Sequence, residues 1–339
     1  MLTEKQLQQI KDELDNCQKP LFLFDDDPDG LSSFLLLYRY KREGKGIVVK
    51  SEPKISIKFA DKVKEYNPDK VFILDVPVMD QEFVDAVNIP VIWIDHHNPW
   101  PIENVKYFNP RINNGNSIPT SMICYNVVKE NLWIAMIGIV GDWHLEYADE
   151  FRKDYADLLP EEINKPEEAL FKTKLGELIR IFSFNLKGNT QEFLKSIKIL
   201  TRIKDPYEIL EQKTPQGKFI YKRFEKINKE YGPLLKKGKI IGKKKGKILL
   251  FTYKGKTSYT KELSNELLFN YPKKIILVCR EKSGNMKCSL RSSKALLPGI
   301  IENALKGVNG YGGGHEHACG SCIKIEDFRQ YLKNIEEQL

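Results

Sequence analysis

Val91-Ile92-Trp93-Ile94-Asp95-His96-His97 joins four apolar residues directly to one acid and two histidines. The apolar part predicts a buried strand, so the polar triplet lies where that strand leaves the core. Burying these polar groups without partners would cost several kcal/mol each. The triplet therefore indicates a metal site or a catalytic site rather than a packing role.

Three further apolar segments also end in acidic residues. Asp25, Asp27 and Asp29 follow or closely follow residues 21–24, Asp75 follows residues 71–74, and Asp142 follows residues 137–141. In an open α/β sheet, ligands bind at the carboxyl ends of the strands. The recurrence predicts that these acids share one site with the triplet.

The first half of the chain alternates predicted strands and helices. Strands are expected at 20–25, 46–50, 70–75 and 90–95, and helices at 3–16, 31–42, 81–87, 119–130 and 132–141. The strands are continuous apolar runs, which is typical of a parallel sheet covered on both faces. The pattern predicts a doubly wound α/β domain over 1–150.

The rest of the chain predicts a helical segment and a second α/β domain. Residues 151–235 are charged and helical, and we interpret them as an extension and linker. Residues 236–339 predict a smaller α/β domain with strands at 248–253, 274–279 and 286–291, helices at 260–270, 297–305 and 326–337, and a glycine-rich turn at 310–314. The fold class expected is therefore α/β with two lobes.

Charge is unevenly divided along the 339 residues. Residues 1–150 contain 16 basic and 24 acidic residues, a net charge of −8, whereas residues 151–339 contain 38 and 22, a net charge of +16. An acidic half would repel a polyanion unless cations are bound in it, whereas a basic half would attract one. The division therefore suits a metal site next to a phosphate-bearing substrate. Seven of these basic residues are lysines between Lys236 and Lys247.

The sequence also bears on location and on redox chemistry. The polar start and the lack of an apolar run of about 18 residues predict a cytoplasmic protein with no membrane partner. Six cysteines are too sparse to predict a disulfide framework. Cys319 and Cys322 have metal-ligand spacing, although two small residues in a turn and a strand would also explain them.

Carboxylates with an imidazole suit Mn²⁺ or Mg²⁺. Several of them could hold two ions that share a carboxylate, an arrangement suited to phosphate-ester hydrolysis. Gly312-Gly313-Gly314-His315 offers backbone N–H groups to an anion, and Arg291 could bind phosphate in a bidentate manner. Each feature also has a simpler explanation when it is taken singly. The acids of 25–29 could cap a helix, Asp75 could start a turn, the glycine segment could be a flexible loop, and Arg291 could be a surface residue.

Together, the motifs resemble the DHH phosphoesterase superfamily. The matching elements are Asp25-x-Asp27-x-Asp29-Gly30, Asp75, Asp95-His96-His97 and Gly141-Asp142, in the order that the superfamily has them. Residues 312–315 resemble the Gly-Gly-Gly-His signature of the DHH-associated domain. The Asp-x-Asp-x-Asp-Gly form resembles the compact archaeal RecJ-like single-strand exonucleases, because Leu23 stands where small oligoribonucleases have histidine.

The resemblance implies a role for each matching residue, in a site between two lobes. Asp75 would bridge two manganese ions, and His97 would contact the scissile phosphate or orient the nucleophile while Asp95 holds the histidine pair. The remaining implied metal ligands are Asp25, Asp27, Asp29, His96 and Asp142. The implied substrate-binding residues are Arg291, Gly312, Gly313, Gly314 and His315.

The expected function is Mn²⁺-dependent hydrolysis of single-stranded RNA or DNA, or of short oligonucleotides, to nucleoside monophosphates. Such an exonuclease would act in DNA repair, with a replication or repair protein as a possible partner. A dimer is plausible, but the sequence does not fix the oligomeric state. Two alternatives stay open: a small-molecule phosphoesterase for cyclic dinucleotides, nano-oligonucleotides or pAp, and a catalytically silent replication module. The complete set of motif acids and histidines disfavours the silent module.

Overall fold

The computed structural model describes residues 1–50, 54–113 and 115–339 and divides into two compact units, Met1–Phe224 and Glu225–Leu339. The first unit contains a five-stranded parallel sheet in the order β2-β1-β4-β6-β7 and a two-stranded sheet of β3 and β5. These strands are β1 Pro20–Asp25, β2 Lys45–Val49, β3 Lys54–Ile55, β4 Lys70–Leu74, β5 Val78–Met79, β6 Val91–Ile94 and β7 Lys106–Phe108.

Helices surround the larger sheet. They are α1 Glu4–Asp15, α2 Pro28–Lys41, α3 Lys58–Tyr66, α4 Gln81–Val87, α5 Thr120–Val128, α6 Leu132–Gly141 and α7 Ala148–Tyr155. One face of the sheet packs against α3 and α4, with Phe83 in the core. On the other face, Phe34 of α2 stacks on Phe24 of β1 with ring centroids 4.6 Å apart. Both faces are covered, so the prediction of a doubly wound parallel sheet is confirmed.

More helices follow in the first unit, and the last of them contains the boundary between the units. They are α8 Pro166–Lys172, α9 Lys174–Asn185, α10 Thr190–Leu200, α11 Pro206–Leu210 and α12 Pro215–Gly242. Phe182 of α9 packs edge-on against Trp133 of α6, with centroids 6.2 Å apart. Arg39 of α2 donates a hydrogen bond to the Ile203 carbonyl. Most of the helical segment that follows residue 150 therefore packs within the first unit.

The second unit is built on a mixed sheet in the order β11-β12-β10-β9-β8. Its elements are β8 Ile248–Lys254, α13 Thr260–Asn270, β9 Ile275–Lys282, β10 Asn285–Arg291, α14 Leu297–Ala304, β11 Gly310–His315, β12 Ala318–Lys324 and α15 Phe328–Glu336. β8 and β9 are parallel, and the other pairs are antiparallel. The predicted smaller α/β domain is confirmed.

Two features of this unit differ from the sequence-based expectation. The glycine-rich segment is not a turn but the edge strand β11, paired with β12. A Cβ on Gly312 would lie 2.8 Å from the Gly320 carbonyl oxygen and 2.9 Å from the Ile301 side chain, so glycine lets the strand pack closely. In addition, Cys279 and Cys288 face each other across β9 and β10 and are disulfide-bonded.

No helix within the described ranges has the length and apolar character needed to cross a bilayer.

The contact between α2 and β1 generates a first prediction. A Cβ on Gly30 would lie 2.7 Å from the carbonyl oxygen of Asp25 and 2.8 Å from its backbone nitrogen. We expect Gly30→Ala to lower the free energy of unfolding by about 1–3 kcal/mol, because the helix start must move away from the strand end. Thermal denaturation of the purified variant measures this effect.

Gly299→Ala is the matched control for this substitution. Gly299 lies in α14, and nothing stands within 4 Å of its added Cβ. It should be neutral or stabilise by about 0.5–1 kcal/mol. Equal melting temperatures for the Gly30 variant and the wild type would contradict the steric argument.

Candidate metal centre

The carboxyl ends of three adjacent parallel strands bring the acidic residues together. β1 ends at Asp25, β4 is followed by Asp75, and β6 is followed by Asp95-His96-His97. Three sets of side chains have donor atoms within 4.8 Å of one another: Asp25, Asp27 and Asp75; Asp29, His96 and Asp142; and Asp75, His96 and His97. The structure therefore gathers every metal ligand expected from the sequence into one cluster.

The start of α2 fixes two of these acids. Asp27 is the N-cap of the helix, and its Oδ1 accepts hydrogen bonds from the backbone N–H groups of Asp29 (2.9 Å) and Gly30 (3.0 Å). Pro28 occupies the first helical turn, where its missing N–H is not needed. The helix-capping role is thus real, and it coexists with membership of the cluster.

Asp29 is buried and is held by the N-terminus of α5. Its two carboxylate oxygens accept hydrogen bonds from the backbone N–H groups of Thr120 at 2.7 Å and Ser121 at 2.9 Å. Burial nevertheless raises the pKa of Asp29, against the opposing effect of His96. The clamp fixes the position of the carboxylate without neutralising its charge.

The surroundings of Asp75 perturb its carboxyl group more strongly than those of Asp29 perturb its own. It is only 2% exposed, and its backbone adopts a left-handed conformation at φ 61°. Its Oδ1 accepts a hydrogen bond from the Thr120 hydroxyl at 3.2 Å. Burial, followed by repulsion from Asp29 and the other nearby acids, raises the pKa of Asp75 well above its ordinary value.

His96 lies between Asp75 and Asp142. Its Nε2 is 3.3 Å from Asp75 Oδ1, and its Nδ1 is 3.7 Å from Asp142 Oδ2. Ser117 Oγ lies 2.9 Å from Nδ1 and also donates to the His96 carbonyl at 3.2 Å. If Nδ1 donates to the serine oxygen, Nε2 retains the lone pair that a metal ion requires.

Asp142 reaches the cluster at the end of α6, where it is the C-cap residue. The helix approaches closely because Gly138 faces α5 and α2. A Cβ on Gly138 would lie 2.4 Å from Ser121 Oγ and 2.9 Å from Asp29 Oδ1. A glycine at this position therefore permits the approach.

His97 is oriented by Asp95, which is fully buried. Asp95 Oδ1 lies 2.7 Å from His97 Nδ1, and its Oδ2 accepts the backbone N–H of His97 at 3.0 Å. Burial lowers the pKa of His97, but the hydrogen bond to Asp95 together with the charges of Asp95, Asp142 and Asp27 raises the pKa overall. Asp95 belongs to none of the three donor sets, so its contacts are those of a positioning residue.

Asn109 completes this arrangement and was not identified from the sequence. Its side-chain amide donates to the His97 carbonyl at 2.9 Å and to Asp95 Oδ2 at 3.3 Å. Tyr107 donates to the same Asp95 oxygen at 3.4 Å. Asn109 directly follows β7, so recognising 106–108 as a fifth strand would have pointed to it.

Three other contributors were also missed. They are Ser117, which contacts His96, and Thr120 and Ser121, which clamp Asp29. The clamp uses backbone N–H groups, which every residue except proline has. A helix N-terminus predicted next to the acidic cluster is the signal that could have revealed it.

The donor set fits hard or borderline divalent cations. It consists of carboxylate oxygens and imidazole nitrogens, without thiolates. Buried acids that raise one another's pKa are the electrostatic condition that a cation relieves. Asp75 and His96 each belong to two of the three sets, and the two oxygens of the Asp75 carboxylate could bind two neighbouring cations at once.

The predicted substrate-binding residues lie together in the second unit. Arg291, at the end of β10, pairs with Ala318 of β12, which pairs with His315 of β11. Arg291 donates to Asn265 Oδ1 and to the Leu290 carbonyl, both at 2.7 Å, and burial lowers its pKa to about 10. A half-buried arginine held by side-chain and backbone acceptors is not the surface arginine of the alternative interpretation.

Comparison with known proteins identifies both units. Residues 21–160 match the DHH family, N-terminal domain, and residues 246–339 match the DHHA1 domain. No curated protein sequence matches the chain.

Solved structures share the fold at low sequence identity. RecJ from Thermus thermophilus in complex with Mn²⁺ has a TM-score of 0.70 at 14% identity, over 99% of this chain and 55% of that one. The chain thus spans about half the length of that RecJ. A manganese-bound exonuclease RecJ has a TM-score of 0.66 at 14% identity, over 99% and 95% of the two chains. A pGpG-specific phosphodiesterase from Vibrio cholerae has a TM-score of 0.50 at 15% identity, over 95% and 98%.

Metal binding should stabilise the protein through Asp75. We expect Mn²⁺ at about 100 times its Kd to add about 2.7 kcal/mol to the free energy of unfolding. Asp75→Asn should lose most of this gain, because Asp75 belongs to two donor sets. The measurement is the melting temperature with and without Mn²⁺, with Asp85→Asn on the exposed face of α4 as control. An unchanged metal response in the Asp75 variant would contradict the assignment.

The stabilisation by metal should increase with pH. The raised pKa values of Asp29 and Asp75 mean that the folded, metal-free protein retains protons that the unfolded chain has released. Its stability therefore decreases as pH rises above the ordinary carboxyl pKa of about 3.9. Because metal displaces these protons, the Mn²⁺-induced rise in melting temperature should be larger at about pH 8 than at about pH 5. A rise independent of pH would argue against these carboxylates as ligands.

Proposed function

Because the chain belongs to the DHH superfamily, we propose that it is a metal-dependent phosphodiesterase that hydrolyses single-stranded RNA or DNA, or short oligonucleotides, to nucleoside monophosphates. The observation that carries this proposal is the membership of the Asp75 carboxylate in two donor sets. Shared ligands suit two adjacent ions, and we propose Mn²⁺ or Mg²⁺.

The domain division proposed is a DHH domain over 1–150, a helical segment over 151–235 and a DHH-associated domain over 236–339.

The protein residues divide the chemical tasks between them. The implied metal ligands are Asp25, Asp27, Asp29, Asp75, His96 and Asp142. Two bound divalent cations would lower the pKa of a water molecule and stabilise negative charge on a phosphoryl oxygen. Asp75 would contribute to both ions, and the backbone clamp on Asp29 would keep its carboxylate in place as substrate arrives.

His97 is the proposed proton donor. Asp95 accepts from Nδ1, and we propose that Nε2 faces a phosphoryl or leaving-group oxygen of the substrate. The raised pKa of His97 favours the imidazolium form, which can donate a hydrogen bond or a proton from Nε2. Asp95 and Asn109 position the ring, and Asp95 stabilises its positive charge.

Arg291, the glycines of β11 and His315 are the proposed binding site for a substrate phosphate. Arg291 is already held by acceptors on three sides, including the Cys319 carbonyl at 3.3 Å, so its guanidinium is pre-organised. Pre-organisation reduces the entropy lost when the substrate binds. Gly313, where an added Cβ would meet nothing within 4 Å, would let a phosphate approach the backbone of β11.

A small-molecule phosphoesterase is the second candidate. The likeness to a pGpG-specific phosphodiesterase over 95% of the chain supports it. The net charge of +16 over residues 151–339 favours a longer polyanion instead. A replication or repair partner and a dimeric state remain predictions from the resemblance.

Hydrolysis assays test the proposed function. Labelled single strands, duplexes and dinucleotides of RNA and DNA are incubated with Mn²⁺ or with EDTA, and the products are resolved by length. We expect the protein to release nucleoside monophosphates from single strands when Mn²⁺ is present and not in EDTA. The Asp75→Asn variant should hydrolyse none of the substrates. His97→Ala should lower kcat by about 10²–10⁴-fold, as expected for loss of a general acid.

Asp85→Asn is the control and should keep wild-type activity. Metal-independent cleavage, or full activity in the Asp75 variant, would reject the proposed chemistry. Cleavage of dinucleotides or cyclic dinucleotides alone, with rates insensitive to salt, would instead favour the small-molecule candidate.

A further inference from the structure

One edge of the sheet in the second unit joins the proposed phosphate-binding residues to the lysine-rich segment. The strand register places Leu249, Ile276, Arg291, Ala318 and His315 side by side across the five strands. One residue further out, β8 and β9 begin at Ile248 and Ile275, which are also paired. The residues preceding those two strands therefore lie at the same edge as Arg291.

These preceding residues are mostly lysines. Lys247 comes directly before β8, and its carbonyl accepts a hydrogen bond from the Ile275 N–H at 2.9 Å. Lys274 comes directly before β9, and its Nζ donates to the Lys244 carbonyl. These two hydrogen bonds thus hold the lysine-rich segment after α12 against the start of β9.

The loop after Arg291 connects to the same group. Ser293 donates a hydrogen bond to the Pro272 carbonyl at 2.5 Å, which places Lys294 next to the segment containing Lys273. We call these residues the lysine edge: Lys244, Lys245, Lys247, Lys273, Lys274 and Lys294. Five of the six are exposed, and Lys274 is half-buried. An acidic residue, Glu316, also lies at this edge, next to His315 between β11 and β12.

We propose that the lysine edge binds the backbone of a single-stranded nucleic acid whose terminal phosphate is held at Arg291 and His315. The proposal rests on the phosphodiesterase function proposed above and adds a surface that selects polymers over dinucleotides. The grouping of six lysines from three separate segments beside Arg291 carries it.

The dimensions fit several nucleotides. Adjacent strands are about 4.8 Å apart, so the edge from β11 to β8 spans about 19 Å. Successive phosphates of one nucleic-acid strand rise by about 3.4 Å along the axis of a stacked helix, so more than one can lie along this edge. A dinucleotide has a single internucleotide phosphate and can contact only part of the lysine edge, whereas a longer strand offers a phosphate to each of its lysines.

The opposite edge of the same sheet supplies a matched control. Lys282 and Lys324 flank Asn285 there, and Lys287 is exposed on β10. Lys254 at this end forms an ion pair with Glu281 at 2.8 Å. Replacing three lysines at either edge changes the net charge equally, so only position differs between the two variants.

The test compares Lys245→Gln/Lys273→Gln/Lys294→Gln with Lys282→Gln/Lys287→Gln/Lys324→Gln. Lys247 and Lys274 are left intact because their ammonium groups donate hydrogen bonds to backbone carbonyls. The Mn²⁺-loaded variants are assayed on a 30-nucleotide single strand and on a dinucleotide, over a range of salt concentrations. Binding of the same 30-nucleotide strand is measured by fluorescence anisotropy in EDTA.

We expect the lysine-edge variant to bind and hydrolyse the long strand about tenfold more weakly, with dinucleotide hydrolysis unchanged. Its slope of log affinity against log salt should be smaller by about 2, since each phosphate contact to a single strand contributes about 0.7. The opposite-edge variant should match the wild type on both substrates.

Equal losses in the two variants, or no loss in either, would overturn the lysine edge as a binding surface. A loss on the dinucleotide as large as on the long strand would also overturn it. If the wild type hydrolyses neither substrate, the proposed function fails, and the anisotropy comparison still decides whether this edge binds single strands.

Discussion

Repulsion among carboxylates gathered at one edge of a parallel sheet is the constraint on which the rest of the first unit depends. Asp75 is buried, and neighbouring acids raise its pKa well above the ordinary value. The surroundings offer partial compensation only: a hydroxyl from Thr120 for Asp75, and two backbone N–H groups for Asp29. This geometry holds the acids in place and leaves their negative charge for a cation to neutralise. The close approach of α2 and α6, through Gly30 and Gly138, follows from the same need to crowd donors around one point.

The triplet after β6 divides into two functions because its two histidines have different partners. His96 contacts Asp75, Asp142 and Ser117 and belongs to two of the donor sets, whereas His97 belongs to one. His97 is held by Asp95, and Asn109 fixes both the Asp95 carboxylate and the His97 carbonyl. One strand end thus supplies a metal ligand and an oriented imidazole side by side, with ring centroids 4.5 Å apart. The proposed hydrolysis would use both.

Much of this site could be predicted from the sequence, since each acid follows an apolar run that forms a regular element. Asp25 ends a strand, Asp75 and Asp95 follow strands, and Asp142 caps a helix, so the apolar runs before them located all four. Asn109 was not predicted as a site residue because the preceding strand, β7, has only three residues and is partly exposed at the sheet edge. Thr120 and Ser121 escaped because their contribution to Asp29 comes from backbone groups. The glycine segment was misassigned as a turn because glycine favours turns, whereas here its small size lets an edge strand pack against its neighbours.

The sequence by itself determined the alternation of elements, the parallel sheet and the positions of the acids, because these depend on local periodicity and on chain order. Tertiary structure decided which donors meet, since Asp29, His96 and Asp142 come from three separate segments that only packing brings together. It also decided the pKa directions, which depend on burial and on charges distant in the sequence. In the second unit, strand register placed Lys247 and Lys274 at the same edge as Arg291. Register is a long-range pairing of backbones, and a run of lysines in the sequence does not contain it.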